Sequence, residues 1–481
     1  MDKSTPSIWS ATRLSPGSQR PEAPGPQDVR SAFQHDYDRV LFSTPVRRLS
    51  DKTQVWPMDE NDGVRTRLTH SHEVANLARS IGTRVAKAVP GVFDDVDLAE
   101  VVQPILCAIG LSHDLGNPPF GHQGEVAIGR WFSRRASWIF THVDEAKDSP
   151  LLPVPVSDSA RPEFTDFDGN PQSFRLLTKL QTSLGRVGLD LTAATLSASL
   201  KYPVRALNRD RTKKSIKKYG YFESELPIVE WARKKTGLQE GQRHPLTWIM
   251  EACDDIAYSV LDGEDFLKKE LASPDDIFVA LRNNTRLQDT EPVKKLEAKF
   301  SELNRLDRAA PIIRDIKIAY LRAYLFEALI REASANYTAH SKSIRAFTHE
   351  LPLMEGSVLC DSLKELARRY AFTHRSVLKM EAVGAAAIDA LMTDFWMAIH
   401  LRKVGDDILS ERTNAKARYI YSLISPNYLE EAQHTDDFRP TSLGMRYREL
   451  RLLTDMVSGM TDTFALNLWR TLKDVPDVSG S

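Results

Sequence analysis

The sequence predicts an all-α protein, and three observations carry that expectation. Apolar residues recur at helical spacing in several long stretches. Leu/Ala/Arg/Glu-rich runs fill much of residues 286–420. Sustained period-two alternation between turn residues, the mark of strands, is scarce.

In chain order, residues 1–30 are rich in Pro, Ser and Gly, carry few large apolar side chains and read as a flexible, disordered N-terminal tail. From about Asp36 charged and apolar residues interleave as in a helix. Within His72–Val89, Val74, Leu77, Ala78, Ile81 and Val85 fall on one helix face. Leu98–Leu111 is more uniformly apolar and reads as a core helix. Residues 149–172 hold five prolines among acidic residues and read as an excursion rather than a regular element. Helical patterning resumes near Phe174 and is strong over Pro245–Leu261, where Trp248, Ile249, Ala252, Ile256 and Val260 supply the apolar face. These signals divide the chain into a tail (1–30), a core region (31–275), a C-terminal helical region (276–472) and a short disordered end (473–481).

Composition excludes some functions. Of 481 residues 42% are hydrophobic, enough for a substantial core, while 64 Lys+Arg nearly cancel 65 Asp+Glu. Global charge therefore selects neither a nucleic acid nor a membrane, and any anion site must be local. The three cysteines are widely spaced without a CxxC pattern, as expected of free thiols in a reducing compartment. No apolar run of ~18 residues stands out as a bilayer span, and MDKSTPSIWS lacks the apolar region of a signal peptide. The expectation is a cytoplasmic protein with no membrane partner.

The most informative string is His113-Asp114-Leu115-Gly116-Asn117-Pro118-Pro119-Phe120-Gly121-His122-Gln123-Gly124-Glu125. Three Gly, two Pro, a second His and a Glu in thirteen residues suit a shaped loop better than a routine helix. A neutral imidazole beside a carboxylate is a mixed N/O ligand pair for a divalent ion. Two residues cannot close a coordination sphere. Candidate partners stand upstream in Arg65–Glu73, which includes His70, and downstream in Glu251–Tyr258, which includes Asp254. An ion held by a His from one helix, a His-Asp pair from a second and an Asp from a third would polarise a phosphoryl oxygen and acidify a water. His122 and Glu125, three apart, share a helix face, as a carboxylate-oriented general acid or a water-positioning pair would. Asp254, Tyr258 and Asp262 follow at i, i+4 and i+8 along one stripe.

RTRLTHSHEV at 65–74, HDLGNPPFGHQGE at 113–125 and EACDDIAY at 251–258 resemble the signature blocks of the bacterial dGTPase-type deoxynucleoside triphosphate triphosphohydrolases of the HD superfamily. RRLSDKTQVWP at 47–57, SLKYP at 199–203 and KKYGYFESE at 217–225 fit the same pattern, so the resemblance spans roughly residues 36–265. It implies an HD-domain helical core with additional helical regions. It also implies metal ligands His70, His113, Asp114 and Asp254 for one divalent ion, Mg²⁺ or Mn²⁺ favoured over Fe²⁺ or Zn²⁺. His122 and Glu125 would form the catalytic pair, and Arg67, Lys201 and Tyr202 the triphosphate cradle. Gln54, Tyr258 and Asp262 would surround the sugar, with Asn170 nearby. The implied reaction is attack at the α-phosphorus of a dNTP, dGTP favoured, releasing deoxynucleoside and tripolyphosphate. A homo-oligomer, often a hexamer, is the implied assembly.

Blander readings stand beside these. His72 reads as a surface residue and Asp255 as structural. Asn117 stands where some HD enzymes carry a further His, which favours a single metal. Residues 201–218 hold eight basic residues against one acidic. Such a run is ordinarily a solvated face, but here it is a candidate lip for polyphosphate, a nucleotide effector or single-stranded DNA. Two other function classes remain open. One is an HD phosphodiesterase or nucleotidase acting on mono- or cyclic nucleotides. The other is a binding module regulated by a nucleotide or by single-stranded DNA.

Overall fold

The computed structural model describes residues 5–15, 29–56, 63–140, 155–437 and 439–475. No strand occurs among them beyond two isolated bridges, so the all-α expectation is met.

The first half runs α1 (Ala32–Leu41), α2 (Thr44–Arg48), α3 (Arg67–Ala88), α4 (Gln103–Ser112), α5 (Gly121–Ser133), α6 (Pro162–Thr165), α7 (Gly169–Thr178), α8 (Ala193–Ser199), α9 (Leu226–Thr236) and α10 (Pro245–Lys268). It continues with α11 (Pro274–Asn283), α12 (Glu291–Leu303), α13 (Ala310–Arg345), α14 (Val358–Ala367), α15 (Arg375–His400), α16 (Ala415–Ser422), α17 (Pro426–His434), α18 (Gly444–Ser458) and α19 (Asp462–Lys473).

The apolar stripe read in α3 is buried throughout: Val74, Ala78, Ile81 and Val85 have no exposed surface. It packs on α4 and α10, and α10 packs in turn on α13 and α14. Gly110 allows α3 and α4 to meet closely, since a Cβ there would stand 2.6 Å from Ala75 Cα. Proline at the start of α10 leaves no amide orphaned, and His244 caps that end by accepting from Leu246 N–H at 3.2 Å.

Two apolar cores result. One joins α3, α4 and α10 to α13 and α14. The other joins α5 and residues 156–229 to α15, α18 and α19. Each core draws side chains from both sides of residue 275, so the expected boundary there does not separate two packing units.

Three expectations need correction. Residues 5–15, assigned by composition to a flexible tail, are anchored: Trp9 sits edge-on to Phe93 and His244, and Arg13 pairs with buried Asp36 at 2.6 Å. Two anchoring side chains outweigh a Pro/Ser-rich average. The rest of that tail, 1–4 and 16–28, lies outside the described residues, as do 149–154 and 476–481. Residues 155–172 are not an excursion, because Glu163, Phe164 and Phe167 are buried around α6. Finally, α15 is long and apolar enough to cross a membrane by length and composition. Half of its apolar window is buried against the second core, on α5, α18 and α19, which explains the composition by packing.

Candidate metal centre and catalytic cleft

His70 lies one turn into α3, His113 and Asp114 follow directly on the end of α4, and Asp254 lies in the third turn of α10. Because these three helices pack together, the side chains meet. Nε2 of His70 lies 3.4 Å and Nε2 of His113 lies 3.5 Å from Oδ1 of Asp254. Ligand atoms of the three residues all fall within 4.8 Å of one another. Both Nε2 atoms are buried and lack a hydrogen-bond partner. Nδ1 of His113 lies 2.7 Å from the Gly110 carbonyl, which only accepts, so the neutral ring carries its proton there and leaves the Nε2 lone pair toward Asp254. Orphaned imidazole nitrogens beside a carboxylate suit a divalent ion.

The electrostatics agree. Burial opposes charge on Asp254, yet Lys201 and His113 hold its carboxyl well below the usual range. Burial likewise opposes charge on Asp114, and His113, Arg67 and His70 reverse it. Burial alone would lower His113, but Asp114 and Asp254 push it upward, a sign that this spot favours positive charge.

Asp114, the fourth expected ligand, is turned aside. Its Oδ2 pairs with Arg67 at 2.5 Å, and its Oδ1 accepts from Asn117 Nδ2 at 2.7 Å and lies 3.6 Å from Nε2 of His113. Lys201 Nζ reaches Oδ2 of Asp254 at 3.0 Å. Two expected phosphate-binding cations thus touch two expected metal ligands. His72 is exposed, and Asp255 faces Lys364 at 2.6 Å.

His113 and Asp254 line a cleft enclosing about 1820 Å³, part of it open to solvent, and His70 stands buried behind them. Gln54, Arg67, Asn170, Lys201, Tyr202 and Tyr258 all line it, with His122 and Glu125 at the start of α5. Oε1 of Gln54 is buried without a partner. Asn170 donates from Nδ2 to Asp168 at 2.6 Å. Asp262 lies deeper than the stripe argument implied: it is 1% exposed and not among the wall residues, and both its oxygens lack a protein partner. Burial and neighbouring Asp265 push its carboxyl well above the usual range.

His122 and Glu125 meet as their spacing predicts, Nδ1 to Oε2 at 2.9 Å. The other oxygen of Glu125 accepts from Gly169 N–H at 2.7 Å, so the carboxylate is fixed at both ends. The bond to Glu125 raises the His122 imidazole above its ordinary value, against burial and Lys218. Just before α5, Phe120 takes a left-handed backbone (φ 62°), a costly conformation for a non-glycine residue. Asp462, at the start of α19, accepts from Phe120 N–H at 3.0 Å and Thr53 N–H at 3.0 Å. Lys52 donates to the Asn117 carbonyl at 2.5 Å and to that of Ser458 at 3.0 Å. The C-terminal helices therefore clamp the loops that present Gln54 and His122.

A family model of the HD domain matches residues 67–185. A deoxyguanosinetriphosphate triphosphohydrolase-like protein of Listeria monocytogenes is 34% identical over 459 residues, 92% of this chain and 94% of its own length. Proteins of the same name from Pseudomonas aeruginosa and Synechocystis sp. are 33% and 31% identical over 461 and 470 residues, covering 92% and 93% of this chain and 93% and 95% of theirs. This chain belongs to the deoxyguanosinetriphosphate triphosphohydrolase-like family. It is an HD-type hydrolase, and the similarity extends beyond the HD domain into the C-terminal half.

In this family member the C-terminal half also supplies cleft walls that the motif reading did not reach. Phe372 lies parallel to Tyr258, ring centres 5.8 Å apart and planes 10° apart. Val377, Leu378 and Glu381 from α15 complete that side. No ion pair or hydrogen bond engages the Glu381 carboxylate among the described residues. The signal that could have found it is a carboxylate within the mostly apolar stretch Val377–Leu391, but that stretch also holds Lys379 and Asp389, and scattered charges in a long helix are too common to stand out.

Proposed function

We propose that the chain hydrolyses a deoxynucleoside triphosphate, dGTP by preference, to deoxynucleoside and tripolyphosphate. The observation that carries this reading is the pair of orphaned, buried imidazole nitrogens facing Asp254 beside a cleft lined by Arg67, Lys201 and Lys218 and by the parallel rings of Tyr258 and Phe372. His70, His113 and Asp254 would hold one divalent ion, Mg²⁺ or Mn²⁺ favoured, with Asp114 joining by a turn away from Arg67. When bound, that ion supplies Lewis-acid charge at the α-phosphoryl oxygen and a more acidic water.

The side chains do the rest. Arg67, Lys201 and Tyr202 position the triphosphate. Water oxygen adds to the α-phosphorus in line with the 5′-oxygen and releases its proton to the solvent of the cleft, from which His122 is later reprotonated, while the bond from phosphorus to the 5′-oxygen breaks. His122, held by Glu125 through Nδ1, keeps a proton on Nε2 for the departing 5′-oxygen, a contribution worth roughly 10²–10⁴ in rate. Gln54 carries a buried polar atom without a protein partner at the cleft wall, which a sugar hydroxyl would satisfy, while Asp262 lies behind that wall. Tyr258 and Phe372 offer rings beside the nucleoside. Glu381, an acceptor without a protein donor, matches the adjacent N–H donors of guanine and supports the dGTP preference. A mono- or cyclic-nucleotide phosphodiesterase would share the metal ligands but would leave the extended cationic wall without a task. The three cysteines, free in the structure, support a reducing compartment such as the cytoplasm.

The test is product analysis by ion-exchange chromatography of the full chain incubated with each dNTP and NTP, with and without Mg²⁺ or Mn²⁺. Deoxyguanosine and tripolyphosphate are expected from dGTP. Formation of dGMP and pyrophosphate would reject the bond assigned here.

A further inference from the structure

A second cleft, enclosing about 1070 Å³, shares His122, Glu125 and Lys218 with the first and contains none of the candidate metal ligands. One wall is a stripe of α5 that runs from His122 through Gly129 to Arg130 and Ser133. Its floor is tight, because a Cβ at Gly129 would stand 2.5 Å from the Thr165 carbonyl. The opposite wall is the basic run, which contributes Arg209, Arg211, Lys217 and Lys218.

The charge balance is positive. Five cations line the cleft against Glu125, Asp166 and Asp168, and each of those carboxylates is already engaged. Asp166 holds Arg209 and Arg211, Asp168 holds Lys218, and Glu125 holds His122 and the Gly169 amide. The single acidic residue of the run, Asp210, is used inside its own loop. Its Oδ1 accepts from Thr212 N–H at 2.9 Å and Thr212 Oγ1 at 2.6 Å, while its amide donates to Ile216 at 2.9 Å. The loop's own carboxylate thus neutralises none of the cations; Asp166 and Asp168 pair with Arg209, Arg211 and Lys218, and among the described residues Arg130 and Lys217 have no carboxylate partner, so the cleft keeps a net positive charge.

The lining also limits the ligand. Phe167 and Tyr219 are only 5% and 1% exposed, and the Tyr219 hydroxyl is tied to the carbonyls of Glu163 and Asp166. Beyond the His122 imidazole, whose Nδ1 is held by Glu125, no aromatic face is offered to a base, whereas single-stranded nucleic acid sites stack successive bases on several such faces. We propose that this cleft is a second anion subsite that takes a linear inorganic polyphosphate, receiving tripolyphosphate as it leaves the catalytic cleft past His122. This rests on the hydrolase reading for the source of the ligand, but not for its binding. A linear polyphosphate places charge on every phosphoryl group and needs no stacking surface, which is what the lining provides.

The test uses the full chain and inorganic tripolyphosphate. Calorimetry at low salt should give two tripolyphosphates per chain, and one in the double variant Arg130→Glu/Arg211→Glu, whose sites are exposed and outside the catalytic machinery. With dGTP as substrate, that variant should keep its initial rate, while inhibition by added tripolyphosphate weakens about tenfold. The milder Arg130→Gln/Arg211→Gln pair should weaken it about threefold and guards against misfolding of the first. A single site in wild type, or unchanged inhibition in both variants, overturns the subsite and leaves the hydrolase reading standing. Two sites without production of tripolyphosphate from dGTP would remove the hydrolase reading and leave the subsite. Tighter binding of long-chain polyphosphate than of tripolyphosphate supports the subsite and names free polyphosphate as its source. Displacement of tripolyphosphate by a single-stranded oligonucleotide, in wild type but not in the variant, would overturn the proposal in favour of nucleic acid.

Discussion

Replacing Glu125 by glutamine isolates what the carboxylate does for His122. The side chain is 8% exposed, accepts from Gly169 N–H with one oxygen and from His122 Nδ1 with the other. Glutamine can keep the bond from Gly169 through its carbonyl. Its amide then donates to Nδ1, which forces that nitrogen to be an acceptor. The ring keeps a proton on Nε2 but can no longer become an imidazolium without breaking the contact. A hydrogen bond to a charged group contributes roughly 1.5–3 kcal/mol, and 1.4 kcal/mol is tenfold. The expected fall in kcat is therefore about 10²-fold, at the lower end of the range for general acid catalysis. The pH profile adds a sign. Glu125 raises His122 above its ordinary value, so the wild-type acid form persists to higher pH. In Glu125→Gln the high-pH limb of kcat should move to lower pH. The assay is deoxyguanosine release across pH, with metal content measured on the same samples. A variant with wild-type kcat and an unmoved limb, or one that has lost its metal, would refute this reasoning.

Other outcomes follow from the same geometry. Asp254→Asn should lose bound metal and turnover together, by more than about 100-fold, since even outer partners of a metal site are worth 10–100-fold; full metal occupancy by elemental analysis would contradict the ligand assignment. Glu381→Gln should reduce the preference for dGTP over dATP by roughly 10-fold or more while leaving Mn²⁺ affinity unchanged, read from kcat/KM for each; an unchanged ratio would remove Glu381 from base recognition. Lys52, lowered by burial to about 7 from 10.5, gives the unfolded chain the greater proton affinity between those values. Stability should thus climb with pH across that window, on the order of 3–5 kcal/mol for this group. Tm measured against pH should rise less steeply in Lys52→Met, and parallel curves would show that Lys52 is not the group responsible.

Much of the site was legible because its chemistry is local in sequence. His113-Asp114 and the His122/Glu125 spacing sit in one short string, and a three-residue spacing on a helix makes a contact wherever that helix goes. The i, i+4 relation of Asp254 and Tyr258 likewise needs only the geometry of α10. Asp262 exceeded that logic: the stripe was right, but α10 is covered along most of its length and opens to the cleft only around Asp254 and Tyr258, so the next position of the stripe is buried. The tail reading failed for residues 5–15 because composition is an average, and Trp9 and Arg13 each act singly.

The sequence by itself determined the helices, the apolar stripes that pack them and the identity of the chemical groups, since these follow from periodicity and side-chain type. Only the tertiary structure decided which groups meet. The packing of α3, α4 and α10 gathers His70, His113 and Asp254 from positions up to 184 residues apart. The clamp of Asp462 and Lys52 on the catalytic loops, and the wall made by Phe372 and Glu381, join segments with no shared pattern. Such contacts are set by the burial of two interleaved cores, and burial depends on the whole chain at once.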